Sequence, residues 1–258
     1  MGAWKDSDNP VLGSLPSITV TEIGEYVRYH SCERRFKLGL ENRKQAKAVP
    51  FSERLFNTLD PVLQETGRQA ENTWESSLKN HGLADLTQIE SRLGSNRATP
   101  WAEVAKSLAG LKEGQAAYAR EVCITGKVGR FDLQGNIDFV TLVWDVSEPR
   151  LRIVECKASR KDKTYQRIQL AAYMMLMKRA LTEAPLVVAG AEIVPDSIEG
   201  VVARIDEESN EPQDILAKPP LLVETEEADL VRLLALDGAL ASIVARDVHD
   251  LEFCLDAK

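Results

Sequence analysis

Apolar and polar residues alternate in residues 118–133, and short apolar runs follow between residues 139 and 205; both patterns predict β-strands. Residues 118–133 are predicted to form antiparallel strands, with turns at Gly126 and at Gly135. The predicted strands that follow comprise residues 139–144, 151–157, 186–190 and 201–205. Together they predict a β-sheet at the centre of the fold.

Apolar residues recur at helical spacing before, between and after these strands. One helix is predicted to begin near residue 19, with Thr19 or Thr21 as its N-cap. The other predicted helices comprise residues 55–79, 101–111, 164–180 and 225–246. This order of elements predicts an α/β fold in which helices flank a central mixed β-sheet.

The length of the chain, 258 residues, suits one large domain. Residues 1–16 contain Gly, Ser, Asp, Asn and Pro without any period, and we interpret them as a flexible tail. The predicted domain then comprises residues 17–258. It is divided into a helical N-terminal part (17–117), a core (118–205) and a C-terminal helix (225–246).

The composition limits the classes of protein that this chain belongs to. A hydrophobic fraction of 44% is sufficient for a core, and the net charge of -8 argues against a protein that coats nucleic acid over its whole surface. A locally basic cleft remains compatible with this charge. No apolar run of about 18 residues occurs, so no membrane span is expected. The N-terminus lacks the pattern of a signal peptide, and we therefore expect a cytoplasmic protein.

One predicted strand ends in two opposite charges. Glu155 and Lys157 share a face with the apolar Ile153, because side chains in a strand alternate between faces. Asp138 directly precedes the apolar run 139–144, so two adjacent strands would bring it to Glu155 and Lys157. Two carboxylates suit a hard cation such as Mg²⁺, which prefers oxygen ligands. The alternative is that Glu155 and Lys157 form an ordinary solvated pair.

Two aspartates are candidates for the metal ligand. Asp138 ends the segment Gly135-Asn136-Ile137-Asp138, and Asp132 ends a second Gly-x-x-Asp segment. We prefer Asp138 because the long apolar strand follows it directly.

The order of these segments resembles a known family. A Gly-x-x-Asp segment, an apolar strand, a polar turn and a strand ending in Glu155-Cys156-Lys157 are followed by a helix that carries Gln169-x-x-x-Tyr173. This set resembles the PD-(D/E)XK nuclease superfamily. It is most similar to the RecB-like branch, which includes CRISPR adaptation nucleases and the nuclease modules of bacterial recombination helicases. The resemblance implies a restriction-endonuclease-like core and a metal-dependent deoxyribonuclease, most simply an exonuclease, in DNA repair, recombination or phage defence.

The same resemblance implies roles for the residues of the set. Asp138 and Glu155 would hold one or two Mg²⁺ or Mn²⁺ ions, with the backbone carbonyl of Cys156 as a further ligand. Lys157 would orient or deprotonate the attacking water and offset charge on the phosphorus. Gln169 and Tyr173 would position the DNA strand or the surroundings of Lys157.

An additional metal ligand is implied on the helix predicted at residues 55–79. The RecB-like branch often carries Gly-x-x-x-His, or an acidic residue in the place of the His, and this chain has Gly67 followed by Glu71. The resemblance therefore implies that Glu71 binds metal. The alternative is that Glu71 lies in water at the edge of the apolar stripe.

Two groups of basic residues are candidates for contacts with the phosphate backbone. Cys32-Glu33-Arg34-Arg35-Phe36 resembles the Cys-Pro-Arg-Arg-Phe segment of RecB-like nucleases, with Glu33 in the place of Pro. Arg34 or Arg35 would then contact phosphate, unless this is simply an amphipathic helix with a basic edge. The second group lies between the strand of Glu155 and the helix of Gln169, where it would either face phosphate or be solvated. It comprises Arg160, Lys161 and Lys163.

The cysteines argue against an iron–sulfur cluster. Relatives that hold a cluster use one early cysteine and three near the C-terminus, whereas this chain has Cys32 and, near its end, Cys254 alone. The remaining cysteines, Cys123 and Cys156, form no Cys-x-x-Cys pair, and all four are expected to be reduced.

The expected substrate is DNA, either single-stranded or at duplex ends. The chain has no Walker motif, so any helicase activity would come from a partner, such as a helicase or a defence-system protein. Two other classes stay open. One is a catalytically inactive nuclease-fold subunit that binds DNA or a protein, and the other is a metal-dependent hydrolase of a different substrate.

Overall fold

The structure is a computed structural model that describes residues 17–44, 61–87, 98–206 and 208–252. The predicted tail, residues 1–16, lies outside the described residues. The same holds for residues 55–60 of the second predicted helix and for Cys254.

A mixed β-sheet forms the centre of the fold. Its strands are β1 (Ile18–Thr19), β2 (Ala84–Asp85), β3 (Thr99–Pro100), β4 (Ala117–Val128), β5 (Phe131–Asp145), β6 (Glu148–Lys157) and β9 (Glu199–Arg204). The order is β2-β4-β5-β6-β9, while β1 pairs with β5 and β3 pairs with β4. The pairs β4–β5 and β5–β6 are antiparallel, and β6–β9 is parallel. A separate hairpin contains β7 (Val187–Val188) and β8 (Ala191–Glu192).

Helices cover both faces of this sheet. They are α1 (Val20–Arg28), α2 (Glu33–Lys44), α3 (Pro61–Asn80), α4 (Trp101–Ala109), α5 (Thr164–Glu183), α6 (Glu224–Leu233) and α7 (Ala239–Ala245). One face packs against α1 and α5, and the opposite face packs against Trp74 and Leu78 of α3. The predicted α/β fold, a central mixed sheet flanked by helices, is confirmed. No helix in the described part of the chain is both long and apolar enough to cross a membrane.

Local chemistry fixes the start of α1. Thr19 is the N-cap: its Oγ1 accepts the backbone N–H of Glu22 at 3.1 Å, and Glu22 Oε2 accepts the backbone N–H of Thr19 at 2.7 Å. This reciprocal capping box satisfies two donors that a helix start leaves open. Of the two predicted caps, Thr19 is therefore the one used.

The predicted turns at Gly126 and Gly135 are wrong, because both glycines lie inside paired strands. The turn between β4 and β5 is instead at Gly129, which has a φ of +60°. Helix α5 explains the other two glycines, since it crosses the strands closely there. A Cβ on Gly135 would lie 2.3 Å from Cε1 of Tyr173, and one on Gly126 would lie 3.0 Å from Cδ2 of Leu176.

The single helix predicted for residues 225–246 is also wrong, because the chain forms α6 and α7 with a break at residues 234–238. Gly238 precedes α7 and donates its N–H to the carbonyl of Ala235 at 3.0 Å. A Cβ at Gly238 would lie 2.6 Å from the carbonyl oxygen of Leu233, so the close reversal requires glycine. The strand predicted for residues 186–190 is shorter, because Gly190 lies in the β7–β8 turn with a φ of +86°.

Candidate active site

Asp138 and Glu155 meet where the pairing of β5 and β6 ends. The last pair is Phe139 with Val154, and one position further along both strands Asp138 stands opposite Glu155. The Asp138 carboxylate accepts the backbone N–H of Cys156 through Oδ2 at 2.6 Å. A side-chain oxygen thus binds this N–H in the way that a backbone carbonyl of the neighbouring strand does in a regular sheet. Both β5 and β6 are inner strands of the sheet.

A backbone irregularity lies beside Asp138. The register pairs Arg120 with Phe139 and Val122 with Ile137, so Glu121 and Asp138 occupy the position between them. Ala119 and Val122 both belong to the core that packs on α5, although strict alternation would place them on opposite faces. Glu121 has a φ of +53°, a conformation uncommon for residues other than glycine. Sequence reasoning missed Glu121, since nothing in its type signals this backbone.

Glu155 is buried with one oxygen open to a further partner. Its side chain is 5% exposed, and Oε1 forms an ion pair with the ammonium of Lys157. Its Oε2 is buried and accepts no hydrogen bond from the described residues. A buried oxygen without a partner is costly, and a cation would supply one. The donor set thus fits a hard divalent ion, which prefers carboxylate oxygen.

The pKa values of this group reflect burial and close charges. Burial raises the pKa of Asp138 well above its usual range, and the Glu155 carboxylate raises it further. Burial also raises the pKa of Glu155, although Lys157 opposes this. Burial lowers the pKa of Lys157, but Glu155 and Asp138 outweigh burial and the net shift is upward. Two carboxylates and one ammonium are therefore strongly coupled in a small volume.

Cys156 places its thiol away from this group. The side chain belongs to the core on the α3 side, with Val154 and Val201, whereas Ile153 packs on the α5 side. Burial raises the pKa of the Cys156 thiol well above its usual range. The backbone N–H of Cys156 therefore contacts the Asp138 carboxylate directly, while its thiol packs among apolar side chains on the α3 side.

Glu71 lies on α3 close to the carboxylate pair, but its nearest partner is an arginine. Its Oε2 accepts Nη2 of Arg120 at 2.7 Å, while Nη1 of Arg120 donates to Glu75 at 2.8 Å. The negative charge of Glu71 contributes to the raised pKa values of Asp138 and Glu155. No three His, Cys, Asp or Glu side chains within the described ranges are arranged to hold a metal. Arg120 and Glu75 are site neighbours that sequence reasoning missed.

Gln169 and Tyr173 lie on the side of α5 that faces α1 and β5. Gln169 packs so closely on α1 that a Cβ on Gly24 would lie 2.7 Å from its Cγ. Tyr173 fills the space above Gly135. Burial raises the pKa of Tyr173, and the charges of Glu155 and Asp138 raise it further. Tyr173 therefore lies within electrostatic range of the carboxylate pair, and Gln169 lies one helical turn away.

The basic residues that we considered for phosphate contacts have different surroundings. Arg34 donates to the carbonyls of Val248 and His249 at 3.2 and 3.1 Å, which ties α2 to the C-terminal segment. The guanidinium of Arg35 lies 3.7 Å from the ring centroid of Tyr29. This geometry favours the structural interpretation of both arginines. The three exposed basic residues of the loop between β6 and α5 are Arg160, Lys161 and Lys163.

Asp132, the rival of Asp138, lies far from Glu155. It pairs with Lys127 near the turn of the β4–β5 hairpin and is exposed. Its distance from Asp138 along the strand is about 20 Å, at ~3.3 Å per residue. Only Asp138 of the two is therefore placed beside Glu155 and Lys157.

Of the cysteines, Cys32 is buried, and Cys123 and Cys156 are free thiols.

The fold and this group of side chains together define a class of protein. The fold is a mixed β-sheet flanked by helices. Its inner strands bring two carboxylates and a lysine together, and these are groups that a metal-dependent phosphodiesterase uses. The family model of the PD-(D/E)XK nuclease superfamily matches residues 23–235, and the chain belongs to that superfamily. Proteins of this superfamily are generally nucleases that use divalent metal ions and act on nucleic acid.

Comparison with individual proteins adds little to this assignment. A solved structure titled "Crystal structure of SSO0001" is 16% identical in sequence and has a TM-score of 0.40. The similarity covers 87% of this chain and 75% of that chain. No curated protein matches the chain.

Proposed function

We propose that this protein is a metal-dependent deoxyribonuclease of the RecB-like branch that hydrolyses phosphodiester bonds from DNA ends. The observation that carries the proposal is the buried group at the end of the β5–β6 pairing. There Asp138 stands opposite Glu155, Lys157 is paired with Glu155, and one Glu155 oxygen lacks a hydrogen bond from the described residues.

Asp138 and Glu155 are the proposed ligands of one or two Mg²⁺ or Mn²⁺ ions. The carbonyl of Cys156 is a further proposed ligand, because its backbone already approaches Asp138. When bound, the metal would polarise the phosphate and lower the pKa of a coordinated water. Glu71 is proposed to approach the ion through Oε1 while its Oε2 stays on Arg120.

Lys157 and the α5 side chains complete the proposed mechanism. Glu155 fixes the ammonium of Lys157, and its raised pKa keeps it protonated, so it would orient the attacking water and stabilise charge on the phosphorus rather than accept a proton. Tyr173 and Gln169 would position the strand or the surroundings of Lys157. In a cell we propose a cytoplasmic role in DNA repair, recombination or defence, with a helicase or defence-system protein as partner.

One observation favours a second candidate, an inactive nuclease-fold subunit that binds DNA or a protein. Glu71 is held by Arg120, so two carboxylates converge where a third ligand would strengthen the metal site. The complete set of Asp138, Glu155 and Lys157 argues for the enzyme instead, because a binding subunit has no use for a buried, coupled charge group.

The test is cleavage of labelled single-stranded and duplex DNA with Mg²⁺, with Mn²⁺ or with chelator. The parent is expected to cleave in the presence of metal and to be inactive in chelator. Glu155→Ala should lose activity, whereas Glu148→Ala, at the exposed other end of the same strand, should keep it. Metal binding without cleavage of any nucleic acid would favour a different hydrolase. DNA binding without cleavage would favour the inactive subunit.

A further inference from the structure

A cleft of about 610 Å³ separates the end of α1 from the start of α5. We call it the α1–α5 cleft. Its lining includes Arg28, Asp162, Lys163 and Tyr165. Apart from Lys163, sequence reasoning assigned none of them to substrate, and the group at Asp138 and Glu155 does not include them.

The α1–α5 cleft is locally basic in a protein whose net charge is -8. Arg28 and Lys163 are exposed cations in its lining. Asp162 is the one acidic residue that lines it within the described part of the chain, and an arginine outside the cleft neutralises its charge, because Nη2 of Arg204 lies 2.6 Å from Oδ1. Nη1 of Arg167 lies 3.7 Å from the other oxygen of Asp162. A cleft with this balance of charge attracts a polyanion.

Flat side chains accompany these charges. The guanidinium carbon of Arg28 lies 5.5 Å from the ring centroid of Tyr165 and 5.5 Å from that of Tyr29. Tyr165 is half-buried, so its ring is held in place while part of it faces the cleft. Tyrosine rings and guanidinium planes are the surfaces on which unpaired bases stack.

Helix α5 connects the cleft to the candidate active site. Tyr165, Gln169 and Tyr173 are four residues apart and therefore share a face of the helix. Tyr173 packs over Gly135 of β5, three residues before Asp138, and Tyr165 lies about 12 Å further along the helix axis at ~1.5 Å per residue. Gln169 and Tyr173 are buried under α1 and against β5, so this face is covered between the two places, and the exposed connection is the loop of residues 158–163, which runs from Lys157 to Lys163.

We propose that the α1–α5 cleft binds a single strand of nucleic acid adjacent to the phosphodiester that is cut. A base stacks on Tyr165 and Arg28, and Lys163 contacts the neighbouring phosphate. The occupant is single-stranded because a duplex keeps the faces of its bases stacked inside, where a tyrosine ring has no access to them. This inference rests on the proposed nuclease function.

The experiment measures binding of a fluorescent single-stranded DNA by anisotropy in chelator, so that nothing is cleaved. Arg28→Ala and Tyr165→Ala should each weaken binding by about tenfold, because each removes a stacking surface. Tyr165→Phe keeps the ring and should bind like the parent. Arg232→Ala is the matched charge control on α6, where the side chain is 81% exposed, and it should also bind like the parent. The salt slope should fall by about 0.7 in Lys163→Ala, the value for one phosphate contact to a single strand.

Three outcomes decide the proposal. Parent-like binding by folded Arg28→Ala and Tyr165→Ala proteins would overturn it, and so would duplex binding as tight as single-strand binding with the same losses. The same variants are also measured with a single-stranded RNA of the same sequence. Equal losses of affinity for RNA and for DNA would support stacking on the bases, which both nucleic acids contain. Failure of the nuclease function would instead appear as no cleavage by the parent in Mn²⁺, a separate measurement.

Discussion

At the scale of single residues, Glu155 carries the most information about the site. One of its oxygens holds Lys157, and the other is buried without a hydrogen bond from the described residues. Beside it, Asp138 is bound to the backbone of Cys156. Charges that are close and poorly solvated cost stability unless a counter-ion joins them. We therefore propose that this group is a metal site rather than a structural element.

Substitutions in this group should separate ligands from the lysine. Asp138→Ala or Glu155→Ala removes a carboxylate from the ion, so metal affinity and cleavage should both fall. Lys157→Ala removes a cation but no ligand, so cleavage should fall by about a hundredfold or more while metal affinity holds or rises. Single-turnover cleavage and Mn²⁺ calorimetry measure the two effects. The exposed Asp132→Ala serves as control and should resemble the parent. Cleavage by Lys157→Ala at the parental rate would contradict the assignment.

Two neighbouring acids of α3 should behave differently when each is replaced by its amide. Glu71 is proposed to reach the metal, so Glu71→Gln should weaken Mn²⁺ binding with little change in thermal stability. Glu75 is buried between Arg120, Lys79 and Tyr118. Glu75→Gln should therefore destabilise the protein by about 3 kcal/mol and leave the metal affinity of the folded protein unchanged. Calorimetry and thermal unfolding on both variants make the comparison, and parental Mn²⁺ affinity in Glu71→Gln would remove Glu71 from the site.

At the scale of elements, the pattern of apolar residues predicted most strands and helices but misplaced the turns. A glycine in a strand has two physical explanations, a turn or the close approach of another element, and the sequence does not distinguish them. At Gly135 the explanation is Tyr173, which lies 38 residues later and packs where a Cβ would stand. The break of alternation at Glu121 had no signal at all, because it depends on pairing with β5.

Two glycine substitutions should have opposite effects on stability. Gly135→Ala would force a Cβ to within 2.3 Å of the Tyr173 ring. It should lower stability by about 1–3 kcal/mol and disturb the site through Tyr173. In contrast, a Cβ on Gly67 of α3 meets nothing closer than Cβ of Ala158 at 3.9 Å. Gly67→Ala should therefore stabilise the helix by about 0.5–1 kcal/mol. Equal melting temperatures for Gly135→Ala and the parent would show that α5 does not pack as described.

At the scale of the whole molecule, the sequence was sufficient for the fold class and for the superfamily. The ordered segments from Gly135 to Tyr173 lie close together along the chain, so local spacing predicted which of them would meet. Contacts between distant segments were not predictable in this way. Arg34 is held by Val248 and His249, more than 200 residues later, and Arg120 reaches back to Glu71 on α3. Such partners depend on tertiary packing, which periodicity does not encode.

The stability of the whole protein should depend on metal through Asp138. Its folded pKa is raised, so folding of the metal-free protein carries a penalty at neutral pH, which shrinks as the pH falls below the folded pKa and is gone below the unfolded pKa of about 4. Asp138→Asn removes the charge and keeps an oxygen that can accept the Cys156 N–H. In chelator at pH 7 this variant should therefore melt about 2–4 °C above the parent for each kcal/mol of relieved penalty.

Added Mn²⁺ should reverse that order. At a hundred times its dissociation constant, a ligand that binds only the folded state stabilises it by about 2.7 kcal/mol. The parent should gain this increment, and Asp138→Asn should gain little because it lacks a carboxylate ligand. Thermal unfolding of both proteins, in chelator and in Mn²⁺ at pH 7 and again near pH 4, gives the full comparison. Two results would show that Asp138 is a structural residue and that the metal site lies elsewhere. One is that Asp138→Asn melts below the parent in chelator, and the other is that Mn²⁺ raises its melting temperature as much as that of the parent.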